Sequence, residues 1–208
     1  MTPRLVVLPD TEAARLPLVF VTVGSDYHPF TRLVSWVDGW LEDGGASRAR
    51  CVMQYGTAPA PRFASGEAFM PHDDVLALMR SAVAVVAQGG PMTMVEARRQ
   101  GRLPLAVPRT RALREVVDDH QHAFCGHMAA QGQAALATDE ATLRQLLDDA
   151  VANPERYAID AASDGDRVDE AVGRFTTIAQ RLSQERLAGS RRRHRIPVGR
   201  SRDTSALT

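Results

Sequence analysis

The segment Thr22-Val23-Gly24-Ser25 places a glycine between two hydroxyl side chains, directly after an apolar run. Gly24 lets a ligand approach the main chain closely, and the neighbouring hydroxyl and amide groups can donate hydrogen bonds to a phosphate. The simpler alternative is that Gly24 only forms the turn that ends a strand. Taken alone, this segment is compatible with both interpretations.

A second polar segment runs from Gln88 to Thr93 (QGGPMT), contains Gly89 and Gly90, and leads from an apolar run into a predicted helix. The N-terminus of that helix offers free amides and a partial positive charge, which suit a diphosphate. The alternative is structural. Thr93-x-x-Glu96 has the form of a capping box, in which Thr93 caps the helix and Glu96 reaches back to it.

The third polar segment, residues 118–122 (DDHQH), brings two acids and two histidines together. Such a combination suggests a metal site. However, acids at the start of a helix are expected from the helix dipole alone, and His122 and His127 do not share a helical face. We therefore predict no metal ion.

These polar segments follow predicted strands or strand–loop units, in a chain where apolar strands alternate with amphipathic helices. The predicted strands cover residues 18–23, 51–54, 68–70, 82–87, 103–107 and 134–137. The predicted helices cover residues 30–41, 72–79, 94–100, 118–131, 140–151 and 168–182. This order predicts an α/β fold, a Rossmann-like doubly wound parallel sheet, with the three segments converging on one crevice at the carboxyl ends of the strands.

The length and composition predict one domain with tails: an N-terminal extension over residues 1–17, a binding domain over 18–187 that includes the last helix, and a basic tail over 188–208. The tail is rich in arginine and offers no apolar face, so we predict that it is disordered. A solvated tail is favoured over one that binds anionic lipid or nucleic acid. No nucleic-acid partner is therefore predicted.

Several classes of protein are disfavoured. The two cysteines, Cys51 and Cys125, have no metal-ligand spacing and suggest no disulfide framework, which fits a reducing cytoplasm. No apolar run reaches the roughly 18 residues of a membrane span, and we predict no signal peptide. The patterns G-x-S-x-G, G-x-x-x-x-G-K-[ST], H-E-x-x-H and G-x-G-x-x-G are missing, which argues against several hydrolase classes and against hydride transfer.

Three sequence blocks, in this order and spacing, resemble the C-terminal domain of glycosyltransferase family 28. They are VFVTVGS at residues 19–25, VVAQGGPMTMVEARRQGRLPLAVPR at 85–109 and VVDDHQ at 116–121. The resemblance covers roughly residues 18–151 and implies the donor-binding half of a GT-B glycosyltransferase. Within the family the chain looks like the stand-alone donor-binding subunits of two-part transferases, of the type found in dolichol-linked chitobiose synthesis and bacterial exopolysaccharide synthesis.

The resemblance implies a role for each matched residue. The first segment would face the phosphates, the second would bind the diphosphate, Glu96 would bond the ribose hydroxyls, and the third would meet the sugar. Main-chain groups near Phe69, Met70 and Pro71 would receive the uracil. The implied substrate-binding residues are Gly24, Ser25, Gln88, Gly89, Gly90, Thr93, Glu96, Asp119, His120 and Gln121.

The resemblance also implies an activity and a partner. The expected enzyme is a hexosyltransferase that moves a sugar from UDP to a lipid-linked or glycan acceptor, in polysaccharide or glycolipid synthesis. No metal or other cofactor is expected, because amides and the helix dipole can stabilise the leaving diphosphate. The base is expected on a separate membrane-anchored, acceptor-binding subunit, with His120 as the candidate on this chain. That subunit would contact residues 168–182 and hold the chain at the cytoplasmic face of the membrane.

Two residues depart from the family pattern Ser-His-Ala-Gly-x-Gly-Ser. Gln88 stands where the pattern has histidine and can donate a hydrogen bond but carry no charge, and Met92 stands where it has glycine. These departures leave open a non-catalytic subunit that binds the nucleotide sugar or activates a transferase. A sugar-nucleotide epimerase is a further alternative, although it would usually need a second Rossmann domain in the same chain.

Overall fold

A computed structural model describes residues 15–161 of the chain. All of them belong to one compact unit, Met1–Ala171. The predicted helix over residues 168–182 and the predicted tail over 188–208 lie outside the described residues. The limits of the predicted domains therefore stay predictions.

The described residues form a six-stranded sheet in the order β3-β2-β1-β4-β5-β6. The strands are β1 (Leu18–Thr22), β2 (Arg50–Gln54), β3 (Ser65–Glu67), β4 (Ala84–Gln88), β5 (Pro104–Val107) and β6 (Ala135–Leu136). Each neighbouring pair is parallel. The strand order reverses between β1 and β4, which is where open sheets of this kind bind ligands. The predicted α/β, doubly wound parallel fold is confirmed.

Helices cover both faces of this sheet. They are α1 (Thr31–Glu42), α2 (His72–Ser81), α3 (Pro91–Arg99), α4 (His120–Ala130) and α5 (Glu140–Ala152). Val19 and Val21 of β1 belong to the core cluster that contains residues of α1 and α5, whereas Leu18 and Phe20 pack with α2 and α3 residues. Because side chains alternate along a strand, β1 supplies apolar residues to both layers.

Some predicted element limits are wrong. α3 begins at Pro91 rather than at residue 94, since proline fits the first turn of a helix, where its missing N–H removes no hydrogen bond. α4 begins at His120 rather than at residue 118. β3 covers Ser65–Glu67 instead of residues 68–70, and all three of its residues are exposed. An exposed edge strand of this length has no apolar pattern from which it could be predicted.

Candidate functional site

The first two polar segments lie side by side at the carboxyl ends of their strands. β1 and β4 are neighbours in the sheet, with Thr22 paired to Ala87, so the loops that follow them meet. They border a cavity of about 440 Å³. Its lining residues are Thr22, Gly24, Ser25, Gln54, Met70, His72, Val75, Met79, Gln88, Gly90, Pro91, Met92, Thr93 and Glu96. The structure thus brings together six of the predicted binding residues: Gly24, Ser25, Gln88, Gly90, Thr93 and Glu96.

The side chain of Gln88 lies between the two glycine loops. A Cβ atom built on Gly24 would lie 2.1 Å from Gln88 Nε2, and one on Gly90 would lie 2.9 Å from the same atom. Gly24 also has a φ of 74°, which favours glycine. With Gln88 in its observed position, neither glycine leaves room for a side chain, and at Gly24 the positive φ adds a second constraint.

Gln88 lines the cavity and has one buried polar atom without a partner among the described residues. The residue is 8% exposed, and its buried Oε1 accepts no hydrogen bond within the described residues. Gln54, another buried glutamine that lines the cavity, has a partner for its side-chain amide: its Nε2 donates to Gly24 O at 3.2 Å. A buried amide oxygen costs free energy unless it gains a partner. Because Gln88 Oε1 is buried, a ligand in the cavity can reach it only if the Gln88 side chain rotates.

The N-terminus of α3 opens onto this cavity without a side-chain cap. Gly90 is the N-cap residue and Pro91 the first helical residue, so Thr93 lies inside the helix and does not cap it. The capping-box alternative is therefore wrong. Since the first amides of a helix have no intrahelical partner, those of Met92 and Thr93 are available to an anion. The exposed side chain of Met92 forms part of the same wall.

Glu96 is free of the capping role and lines the cavity. Its carboxylate lies near His72, with 3.7 Å between His72 Nε2 and Glu96 Oε1. Sequence reasoning missed His72, because a polar residue opening a helix carries no functional signal. The resemblance implies that residues 69–71 receive the uracil ring. Met70 lines the cavity, whereas Phe69 and Pro71 do not belong to its lining.

The third polar segment lies beside the second but does not line the cavity. A Cβ on Gly89 would lie 3.1 Å from Gln121 Oε1 and 2.7 Å from Cys125 Sγ, so Gly89 allows α4 to pack against the second loop. The prediction that all three segments border one crevice is therefore correct for two of them. The reason is the strand order: the third segment follows β5, which is one strand farther from β1 than β4 is.

The side chains of this third segment already have partners. Asp119 Oδ1 accepts from the Arg111 amide at 3.0 Å, and His120 Nδ1 lies 3.0 Å from Asp118 Oδ1. Gln121 Oε1 accepts from the Arg109 amide at 3.0 Å. This bond fixes the orientation of the Gln121 side-chain amide and occupies one of the two acceptor positions of Oε1. The NH₂ group is the donor that this side chain can offer to a ligand.

A buried arginine that sequence reasoning missed connects the loops after β1 and β5. Arg109 has no exposed surface. Its Nη1 donates to His28 O at 2.7 Å and to Glu115 O at 2.9 Å, and its Nη2 donates to Val23 O at 2.8 Å. Burial lowers the pKa of this guanidinium, an effect that the carboxylates of Asp26 and Glu115 oppose.

A second arginine, Arg32, binds the loop after β5 from the side of α1. Arg32 of α1 forms a bidentate pair with Glu115, at 2.9 Å from Nε and 2.8 Å from Nη2, and also donates to Pro108 O. Glu115 Oε2 accepts the Thr110 amide as well, at 2.9 Å. Glu115 is 4% exposed. A planar, bidentate pair of this kind fixes geometry as well as charge.

Asp26 and His28 contact each other within the loop after β1. Asp26 Oδ1 accepts from the His28 amide at 2.7 Å and lies 2.6 Å from His28 Nδ1. Desolvation tends to raise the pKa of Asp26, but the hydrogen bonds with His28 outweigh it and the pKa is lowered overall. Asp26 therefore stays ionised and orients the His28 ring.

Other chemistries find no support in the described residues. Between residues 15 and 161, no group of three or more histidine, cysteine, aspartate or glutamate residues could hold a metal ion. Burial raises the pKa of both Cys51 and Cys125 to about 12, so both thiols are protonated and poor nucleophiles. In the same part of the chain, no helix is long and apolar enough to cross a membrane.

Comparison with known proteins agrees with this architecture. The fold is similar to the glycotransferase of kitacinnamycin, with a TM-score of 0.53, 16% identity, and coverage of 86% of this chain and 47% of that one. Weaker similarities include CalG4, the calicheamicin glycosyltransferase (TM-score 0.49, 16% identity, 80% and 46% coverage), and MurG of Acinetobacter baumannii (0.46, 19%, 75% and 50%). The chain spans about half the length of these proteins. No curated protein matches it.

The family model of the glycosyltransferase family 28 C-terminal domain matches residues 18–181. This match covers well over half of the chain and includes all three polar segments. It agrees with the sheet order and with the loops that border the cavity at the switch point. The chain therefore belongs to the glycosyltransferase family 28 C-terminal domain family.

Proposed function

We propose that this chain binds a UDP-sugar and provides the donor-binding half of a hexosyltransferase. The observation that carries the proposal is that the Gly24 loop, the uncapped N-terminus of α3 and Glu96 line one cavity. A nucleoside diphosphate needs these features together: main-chain donors for the phosphates and a carboxylate acceptor for ribose hydroxyls.

The donor is proposed to lie across the cavity. Met70, Val75 and Met79 form its apolar side and suit the uracil ring. Glu96 would accept hydrogen bonds from the ribose, and the amides at the start of α3 would hold the diphosphate. Among the described residues, no arginine or lysine lines the cavity. Phosphate binding at this cavity would then depend on amides and on the helix dipole, without an arginine or lysine side chain from these residues.

In the proposed reaction, an acceptor hydroxyl attacks the anomeric carbon of the donor and the bond from that carbon to the diphosphate oxygen breaks. UDP leaves with the electron pair, and the hydroxyl proton passes to a base. Amides oriented at the departing oxygens stabilise the developing charge, because they need no reorganisation during the reaction. This step requires no metal ion or other cofactor.

The acceptor and the base are proposed to come from a second, acceptor-binding protein attached to the cytoplasmic side of a membrane. The resemblance to two-part transferases supports this arrangement, with a lipid-linked or glycan acceptor and a role in polysaccharide or glycolipid synthesis. The contact predicted at residues 168–182 lies outside the described residues. A non-catalytic, nucleotide-sugar-binding subunit is the second candidate, favoured by the Met92 side chain in the cavity wall.

Titration calorimetry of the purified chain tests donor binding. We expect UDP to bind. ADP should bind at least about tenfold more weakly, a difference of roughly 1.4 kcal/mol in binding free energy. Glu96→Gln should weaken UDP binding by about 1 kcal/mol, because a neutral amide acceptor replaces a charged one. Glu155→Gln, at an exposed position outside the cavity, should leave the affinity unchanged. Absence of UDP binding by the folded wild-type chain would refute the proposed function.

A further inference from the structure

We propose that Arg109 is a positioning residue for the sugar–diphosphate end of the donor site. This inference rests on the proposed function and assigns a role to a residue that does not line the cavity. Its basis is that one buried guanidinium connects the loop after β1 to the loop after β5, while the main chain of the same residue holds Gln121.

The first step concerns the loop that begins with Gly24. Arg109 binds the carbonyl groups of Val23 and His28, which lie immediately before and shortly after the cavity-lining residues Gly24 and Ser25. Both ends of this short loop are thus attached to one rigid, planar group. Since guanidinium donors have fixed directions, Arg109 restrains the loop that would face the phosphates.

The second step concerns Gln121. The Arg109 amide donates to Gln121 Oε1 and so orients the Gln121 side-chain amide, whose NH₂ group is the donor that it can offer to a ligand. The position of this donor therefore depends on where the Arg109 main chain lies. Arg32 and Glu115 fix that position from the other side, because Arg32 also binds Pro108 O and Glu115 accepts the Thr110 amide.

The third step concerns the cost of this arrangement. Arg109 is wholly buried, and its Nε has no hydrogen-bond partner within the described residues. A buried charge is costly, and replacing a whole buried charge network by apolar residues of similar volume is often neutral or stabilising, although removing a single partner is strongly destabilising. Stability alone is thus a weak reason for an arginine here. Fixing the two loops relative to each other is the role that the geometry supports.

The test compares two ligands in the full-length chain. UMP probes the nucleoside end, and UDP-sugars, taken as a panel of UDP-glucose, UDP-galactose and UDP-N-acetylglucosamine, probe the whole site. The UDP-sugar that binds wild type most tightly is chosen from this panel. The measured quantity is the dissociation constant of UMP divided by that of this UDP-sugar, so weaker binding of the UDP-sugar lowers the ratio. Arg109→Lys keeps the charge, but a single nitrogen cannot reproduce the planar fork that bonds three carbonyl groups. The ratio should fall by about fivefold or more, as expected for one or two lost hydrogen bonds.

Two further variants separate positioning from folding. Glu115→Gln keeps an acceptor for the Thr110 amide but removes the charge facing Arg32, and should lower the ratio in the same direction. Arg98→Met removes another buried arginine, one that donates to Gln133 O and lies outside the cavity lining. It should lower the melting temperature but leave the ratio within about twofold of wild type, a margin of about 0.4 kcal/mol.

The outcomes distinguish this inference from the proposed function. An unchanged ratio in folded Arg109→Lys and Glu115→Gln overturns the positioning role, as does an equal fall in Arg98→Met. If Arg109→Lys does not fold, Glu115→Gln alone decides the question. Equal binding of UMP and every UDP-sugar by wild type also overturns the inference, although the chain would still bind a uridine nucleotide. Absence of all binding by wild type refutes the proposed function itself.

Discussion

At the scale of single residues, Gly24 and Gln88 show how a predicted binding residue can have two separate constraints. The positive φ of Gly24 fits the expected close approach of an anion, and the contact with Gln88 Nε2 excludes a side chain at the same position. For Glu96, the structure removes one of two possible roles. Its capping role disappears once α3 is seen to begin at Pro91, and its place in the cavity wall remains.

The constraint on Gly24 predicts the outcome of a matched pair of substitutions. Gly24→Ala should destabilise the chain by more than about 1 kcal/mol, because φ is positive and the new Cβ displaces Gln88. Gly126→Ala in α4 has no atom within 4 Å of the new Cβ and should stabilise by about 0.5–1 kcal/mol, as alanine favours helix. Thermal and urea unfolding measure both. Equal effects of the two substitutions would contradict this account of the loop.

At the scale of elements, the start of α3 is the feature on which the proposed diphosphate site depends. The helix has neither a side-chain cap nor an acid in its first turn, although either would stabilise it. A helix that leaves its first amides open at the switch point of a parallel sheet is suited to an anionic ligand. The β1 loop and α2 form the other walls of the same cavity.

This arrangement predicts opposite effects on stability and on binding. Met92→Glu places a negative charge in the first turn of α3 and should stabilise the chain by about 0.3–1 kcal/mol through the helix dipole. The same charge should repel a diphosphate and weaken UDP binding. Met92→Gln, of similar size and without charge, is the control and should bind UDP more tightly than the glutamate variant. Unchanged UDP affinity in Met92→Glu would place the phosphates elsewhere.

At the scale of the whole molecule, the described unit has a cavity bordered by loops on one edge of its sheet. The chain spans about half the length of the glycotransferase of kitacinnamycin, to which its fold is similar. The proposal of a second, acceptor-binding protein therefore concerns the part of the reaction that the described residues leave unassigned, namely the acceptor and the base.

The two-protein proposal predicts where activity will be found. The purified chain should bind UDP-sugar but transfer it very slowly, because no acceptor is positioned. Membranes from cells that co-express the chain with its acceptor-binding partner should transfer radiolabelled sugar to lipid or glycan. Membranes that contain the partner and a Glu96→Gln chain should transfer less, which controls for host enzymes. Rapid transfer by this chain alone would contradict the proposal, and donor binding without transfer in either preparation would favour the non-catalytic alternative.

The sequence by itself determined the fold class and the first two polar segments of the site. Apolar runs such as residues 82–87 predict buried strands because both faces of a parallel sheet are covered, and the glycine-containing segments follow such runs directly. These are local patterns, since hydrophobic periodicity and turn residues act over a few neighbouring positions. The family resemblance rests on the same segments.

Only the tertiary structure decided which polar side chains share a cavity and which hold the loops. In the structure, Thr93 lines the cavity and does not cap the helix, Gln121 packs beside Gly89, and Arg109 connects two loops. Arg109 and Val23 are 86 positions apart in the chain. Such partners are chosen by strand order and burial, which depend on the whole sheet, so no local pattern in the sequence could have identified them.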